Sequence, residues 1–112
     1  MVENRLDATF RALADPTRRG MLANLALGEK SIGELASPFN MTFAGASKHV
    51  KVLEDAGLIA RRKLGRTHLI SIHAKPLEEA ERWLRQWEKF WNTRLDRLQA
   101  LVEQDKEEKT NG

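Results

Sequence analysis

Apolar residues recur along this chain with a period that changes twice. Leu6, Phe10 and Leu13 stand at helical spacing, and Asp15-Pro16 then supplies an N-cap residue and a proline suited to the first helical position. One helix ends there and a second begins, running through Met21, Leu22 and Leu25 to a stop at Gly28. Ser31-Ile32-Gly33-Glu34 has capping-box spacing and predicts a short third helix to about Ala36. After the turn residues Ser37-Pro38-Phe39-Asn40, Thr42 caps a fourth helix, Thr42 to Ala56, with Val50 and Leu53 on one side and a close at Gly57. Short helix, tight turn, longer helix is a helix-turn-helix. From Leu58 the period drops to that of strands. Leu58 to Leu64 and Thr67 to Ile72, separated by Gly65-Arg66 at a hairpin turn, predict a wing. Beyond Pro76 the helical period returns, and Leu77, Ala80, Leu84, Trp87, Trp91, Leu95, Leu98 and Val102 alternate steps of three and four.

The predicted fold class is therefore mainly α with a small β-hairpin (α+β): a winged helix-turn-helix of about five helices and a two- to three-stranded wing sheet. A chain of 112 residues supports one domain with a modest core. We read residues 1–105 as that domain, residues 76–104 as a long dimerisation helix, and 106–112, polar and without periodicity, as a disordered tail. No apolar run is long enough to cross a bilayer, and the N-terminus has acids and no apolar h-region, so the expected setting is the cytoplasm with no membrane partner. The absence of cysteine removes disulfides, thiolate metal sites and thiol redox sensing together.

The net charge of +3 is small, but its distribution is uneven. Residues 42–67 hold six bases (Lys48, Lys51, Arg61, Arg62, Lys63, Arg66) against Glu54 and Asp55, whereas residues 76–112 are net acidic. A helix the length of Thr42 to Ala56 fits the major groove of DNA, with flanking groups on phosphates. Thr42, Ser47 and His49 offer hydrogen-bonding side chains, Phe43 suits a thymine methyl, and Lys48 and Lys51 lie at solvent-facing positions. Arg61, Arg62, Lys63 and Arg66 bracket the wing turn, where they would straddle a phosphate backbone or enter the minor groove. Alternatives stay open: Thr42 as a cap alone, His49 as an exposed helix residue.

Ala12-Leu13-Ala14-Asp15-Pro16-Thr17-Arg18-Arg19 and Ala46-Ser47-Lys48-His49-Val50-Lys51-Val52-Leu53-Glu54-Asp55-Ala56-Gly57-Leu58-Ile59 resemble the ArsR/SmtB family of winged-helix bacterial repressors. The resemblance implies a homodimer on palindromic double-stranded operator DNA. It places Thr42, Phe43, Ser47 and His49 toward DNA and Arg62 to Thr67 in the wing. It also suggests backbone contacts near Thr17 and Arg18, although Arg18 equally suits a buried structural role. Many members sense metals through a Cys-x-Cys pair in the third helix or a carboxylate and histidine set in the last. Here Ser31 and Gly33 take the place of the pair, and no histidine follows Pro76. His68 and His73 point to opposite strand faces if the strand continues. We expect no metal and no cofactor; the effector is left open.

Trp83, Trp87 and Trp91 recur every fourth residue beside Phe90. A helix from Pro76 to Gln104 would span about 43 Å, more than so small a domain covers. Its apolar face needs a partner, and an identical chain is the simplest. The expected dimer interface is Leu6, Phe10, Leu77, Leu84, Trp87, Trp91, Leu95 and Leu98, with an aromatic pocket for a small apolar effector as the alternative use of the tryptophans. No Gly-rich phosphate loop and no nucleophile with a paired base support an enzyme reading. A pure interaction module is the remaining rival, and the basic middle segment argues against it.

Overall fold

The computed structural model describes residues 2–111, with side chains described for 4–106. The elements follow the order α1 (Val2–Leu13), α2 (Pro16–Leu25), β1 (Lys30–Ser31), α3 (Ile32–Ala36), a 3-10 turn (Ser37–Phe39), α4 (Phe43–Asp55), β2 (Ile59–Leu64), β3 (Thr67–Ile72) and α5 (Lys75–Asn111). This is the winged helix-turn-helix read from the pattern.

Local chemistry sets the boundaries. The Asp15 carboxylate accepts from the Arg18 backbone N–H at 3.0 Å, starting α2 behind Pro16. Ser31 and Glu34 form the full capping box, each side chain accepting from the other's backbone N–H at 3.1 and 3.0 Å. Thr42 Oγ1 accepts from Gly45 N–H at 3.0 Å and starts α4. At the other end Gly57, with φ of 75°, donates to Glu54 O while Leu58 N–H reaches Leu53 O. That is a Schellman stop, and Leu53 and Leu58 are both fully buried beside it.

The core gathers one face from each helix of residues 1–80 and from β2 and β3. Ala12, Met21, Leu22, Leu25, Leu35, Ala46, Val50, Leu53, Leu58 and Ile70 are its centre, and Phe39, Met41 and Leu77 pack on its edge. The turn between α3 and α4 is drawn tightly onto α2. A Cβ built on Gly20 would stand 2.6 Å from the Phe39 ring, so this helix position has to be a glycine for the ring to seat. Asn40 then takes the left-handed conformation, φ 52°, and redirects the chain into α4. Gly20→Ala is expected to cost about 1–3 kcal/mol, the usual range for forcing extra volume into a packed site. Urea unfolding checks it, and an unchanged midpoint would show that Phe39 moves aside freely.

The sheet order is β1-β3-β2, all antiparallel, with Ile59 opposite Ile72 and Leu64 opposite Thr67. Gly65, φ 64°, and Arg66 close the hairpin; a left-handed first residue followed by an ordinary one is the type II′ pattern. β1 is the third strand that the two- to three-stranded wing sheet allowed for, at residues the sequence did not place. Two residues carry no alternation to detect, and Ser31 serves β1 and the α3 cap at once.

The chain divides into two compact units, residues 1–80 and 81–112. α5 is longer than the span from Pro76 to Gln104 read from the pattern, being helical to Asn111. The expected tail, 106–112, falls mostly on residues whose side chains lie outside the described set.

Candidate nucleic-acid interface

α4 carries two faces. At about 100° per residue, Ala46, Val50 and Leu53 share the buried side, all at 0% exposure. Ala44, Lys48, Lys51 and Asp55 lie opposite and are exposed, with half-buried Ser47 at the margin. Phe43 stands at the first turn, 63% exposed with no apolar cover. Thr42 is exposed, but its hydroxyl oxygen serves the cap. Small residues at 44 and 45 leave the first turn open to close approach.

His49 is placed differently from Ser47 and Lys48. It lies at the edge of α4 against the start of α2, its side chain 25% exposed, with Nδ1 3.4 Å from Arg18 Nη1 and 3.9 Å from Asp15 Oδ2. Arg18 makes contacts that fit the structural one of the two roles left open for it. Its Nε donates to Ala12 O at 2.7 Å and its Nη2 to Arg11 O at 3.1 Å, satisfying carbonyls at the end of α1. Arg19 does the same for Leu13 O at 2.6 Å. Thr17, half-buried beside them, makes no side-chain hydrogen bond among the described residues.

The wing arginines divide by strand alternation. Arg61 faces α4 and donates to both carboxylate oxygens of Glu54, at 3.1 and 3.4 Å. Arg62 faces the other side and makes a bidentate pair with Glu29, 2.8 Å for each bond, across the sheet from the residue preceding β1. That hydrogen bond holds the Glu29 carboxyl below its ordinary value of 4.5 and raises Arg62 in turn. Asp15 is also lowered, first by the hydrogen bond from the Arg18 backbone N–H and then by the Arg18 guanidinium. Lys51 pairs with Asp55 at 3.1 Å, one turn along the helix. Of the six bases in the middle segment, Lys48, Lys63 and Arg66 alone have no ion-pair partner among the described residues. All three are exposed, Lys48 on the outer face of α4 and the other two at the wing tip.

The Lys51–Asp55 spacing of four was legible in the sequence. The Glu29–Arg62 pair, 33 residues apart, gave no local signal. Thr67 and His68 lie exposed on the wing. Among the described residues no group of three or more histidines, aspartates and glutamates is close enough to hold a metal ion, and no helix is long and apolar enough to cross a membrane.

The expected interface residues of α1 and α5 also separate. Leu6 is already buried within the chain, at 7% exposure, and Leu77 packs on the core edge, while Phe10 is 36% exposed. On α5 Leu84, Trp87, Trp91, Leu95 and Leu98 are exposed, as are Trp83, Phe90, Leu101 and Val102. The aromatic rings follow one another at centroid separations of 6.1, 6.1 and 5.5 Å from Trp83 through Trp87 and Phe90 to Trp91, and the Arg94 guanidinium lies 4.4 Å over Phe90.

Residues 13–62 match the sequence model of a helix-turn-helix domain. The HTH-type transcriptional regulator Rv2034 of Mycobacterium tuberculosis is 30% identical over 99 residues, 88% of this chain and 90% of that protein. A crystal structure of an ArsR family transcriptional regulator superposes with a TM-score of 0.74 at 39% identity, over 80% of this chain and 93% of that one. The chain belongs to the ArsR family. The transcriptional repressor SdpR of Bacillus subtilis is also similar, 29% identical over 79 residues, 70% of this chain and 88% of that protein. This ArsR-family chain is thus a transcriptional regulator of the repressor type, with a winged helix-turn-helix for DNA.

Proposed function

We propose that the chain acts as a homodimeric repressor on a palindromic operator, with α4 in the major groove and the wing tip on the flanking backbone. The observation that carries this reading is the outer side of α4, where Phe43 and Lys48 are exposed and half-buried Ser47 lies at the margin. Lys63 and Arg66 form a second unpaired cationic group at the wing tip. Ser47 and Phe43 read bases, with Thr42 setting the helix start; Lys48, Lys63, Arg66 and Thr67 hold phosphates. Arg61 and Arg62 shape the wing through Glu54 and Glu29, Lys51 is moderated by Asp55, Arg18 supports α4 from behind through His49, and Thr17 holds the backbone beside it.

The exposed stripe of α5 supplies the dimer contact. Regulation does not pass through the family's metal sites, because Ser31 and Gly33 stand where a cysteine pair would be and α5 has no histidine.

Incubation with sheared DNA of the source genome, followed by sequencing of the bound fragments, tests the proposal. The expected product is a two-fold symmetric site with half-sites about 10 to 10.5 base pairs apart. Enrichment of no site, or of asymmetric sites only, would overturn it.

A further inference from the structure

One guanidinium joins three helices. Arg18, in the first turn of α2, donates Nε and Nη2 to the carbonyls of Ala12 and Arg11 at the end of α1, and its Nη1 lies 3.4 Å from Nδ1 of His49 on α4. Arginine has donors only, so a hydrogen bond at this distance requires Nδ1 as the acceptor and a neutral ring with its hydrogen on Nε2. The charged groups facing the ring among the described residues are Arg18 and Asp15, both from the start of α2. α1 presents backbone carbonyls that Arg18 takes, and Lys48 and Lys51 on α4 itself lie on the solvent side. His49 therefore faces inward from the helix whose other side reads DNA.

We infer that Arg18 and His49 are positioning residues that fix α4 on the corner of α1 and α2, and that this latch holds only while His49 is neutral. The inference rests on the DNA-binding reading above. Protonation puts a hydrogen on Nδ1 opposite the guanidinium, setting two donors and two like charges 3.4 Å apart. The ring turns instead toward Asp15 Oδ2, now 3.9 Å away, and Arg18 keeps α1 but lets go of α4. Base-edge hydrogen bonds demand a set helix position, whereas phosphate contacts tolerate displacement. Sequence discrimination is full with neutral His49 and lost as pH falls through its protonation; non-specific binding is not.

The test measures affinity for the recovered operator and for a random duplex of equal length, at fixed salt, from about pH 8 to about pH 5.5, where histidine changes charge. Wild type is compared with His49→Asn, whose amide oxygen accepts from Arg18 at every pH, and with Arg18→Gln. The ratio of the two affinities in wild type is expected to fall roughly tenfold, the size of one lost hydrogen bond to a charged group. His49→Asn should keep the high-pH ratio and stay flat, with His68 and His73 unchanged in both proteins. Arg18→Gln should have a low ratio throughout. Should that variant fail to fold, the nitrogen chemical shifts of His49 in the free wild-type protein give the tautomer without DNA. An Nε2–H ring supports the latch and an Nδ1–H ring overturns it. Wild type and His49→Asn falling in parallel, or His49→Asn losing discrimination at high pH, would also overturn it. A wild type that never discriminates overturns the DNA reading, and the tautomer then reports on the latch alone.

Discussion

Replacing Trp91 and Leu98 of α5 by glutamine is expected to yield a folded monomer whose operator affinity falls by about 10² to 10⁴, the usual loss when two linked sites become independent. Both side chains are exposed in the single chain, 56% and 59%, together with Leu84, Trp87, Leu95, Leu101 and Val102. At 100° per residue, the large apolar positions from Trp83 to Val102 fall within about 140° of the circumference, wider than the two-position seam of a simple coiled coil. Phe10 on α1 is 36% exposed. Glutamine is uncharged, so the substitution leaves the salt dependence of each half-site intact and isolates the loss of linkage. Sedimentation measures the assembly, circular dichroism the helix content, and fluorescence anisotropy the affinity. A folded monomer that binds its operator as tightly as wild type would sink the dimer.

How much of this was legible depends on the range of each interaction. Caps and stops are written within four residues, so Asp15, Ser31 with Glu34, Thr42 and Gly57 marked helix ends that the structure keeps. Val50 and Leu53 declared the buried face of α4 by spacing alone, and Gly65-Arg66 placed the hairpin turn. Partners set by the fold could not be read. His49 looked like a hydrogen-bonding side chain on a recognition helix, and only the packing of α2 on α4 turns it toward Arg18. Arg61 and Arg62 are neighbours in sequence, but the pleat sends them to opposite faces, where Glu54 and Glu29 wait. Leu6 has the spacing of an interface residue and is covered within its own chain. Gly20 gave no sign at all, because its reason is the Phe39 ring 19 positions on.

Those ion pairs sharpen the second large prediction, the ranking of the basic residues by salt dependence. Lys48→Ala with Arg66→Ala removes two unpaired cations from each protomer, four from a dimer. Counterion release at about 0.9 per phosphate then lowers the log–log salt slope by about 3.6 and the affinity at 0.15 M salt by on the order of a thousandfold. Arg61→Gln with Arg62→Gln removes the same formal charge. These two arginines already neutralise Glu54 and Glu29, so their loss frees two carboxylates instead of giving up phosphates. The slope of that variant should change by less than about one, with a weaker wing as its main effect. Polyanion competition cannot separate these cases, but operator titrations across 50 to 300 mM salt, on the order of two Debye-length regimes, can. If the paired arginines shift the slope as much as Lys48 and Arg66 do, then DNA displaces Glu29 and Glu54 on binding, and the carboxylates are competitors for phosphate instead of fixed parts of the wing.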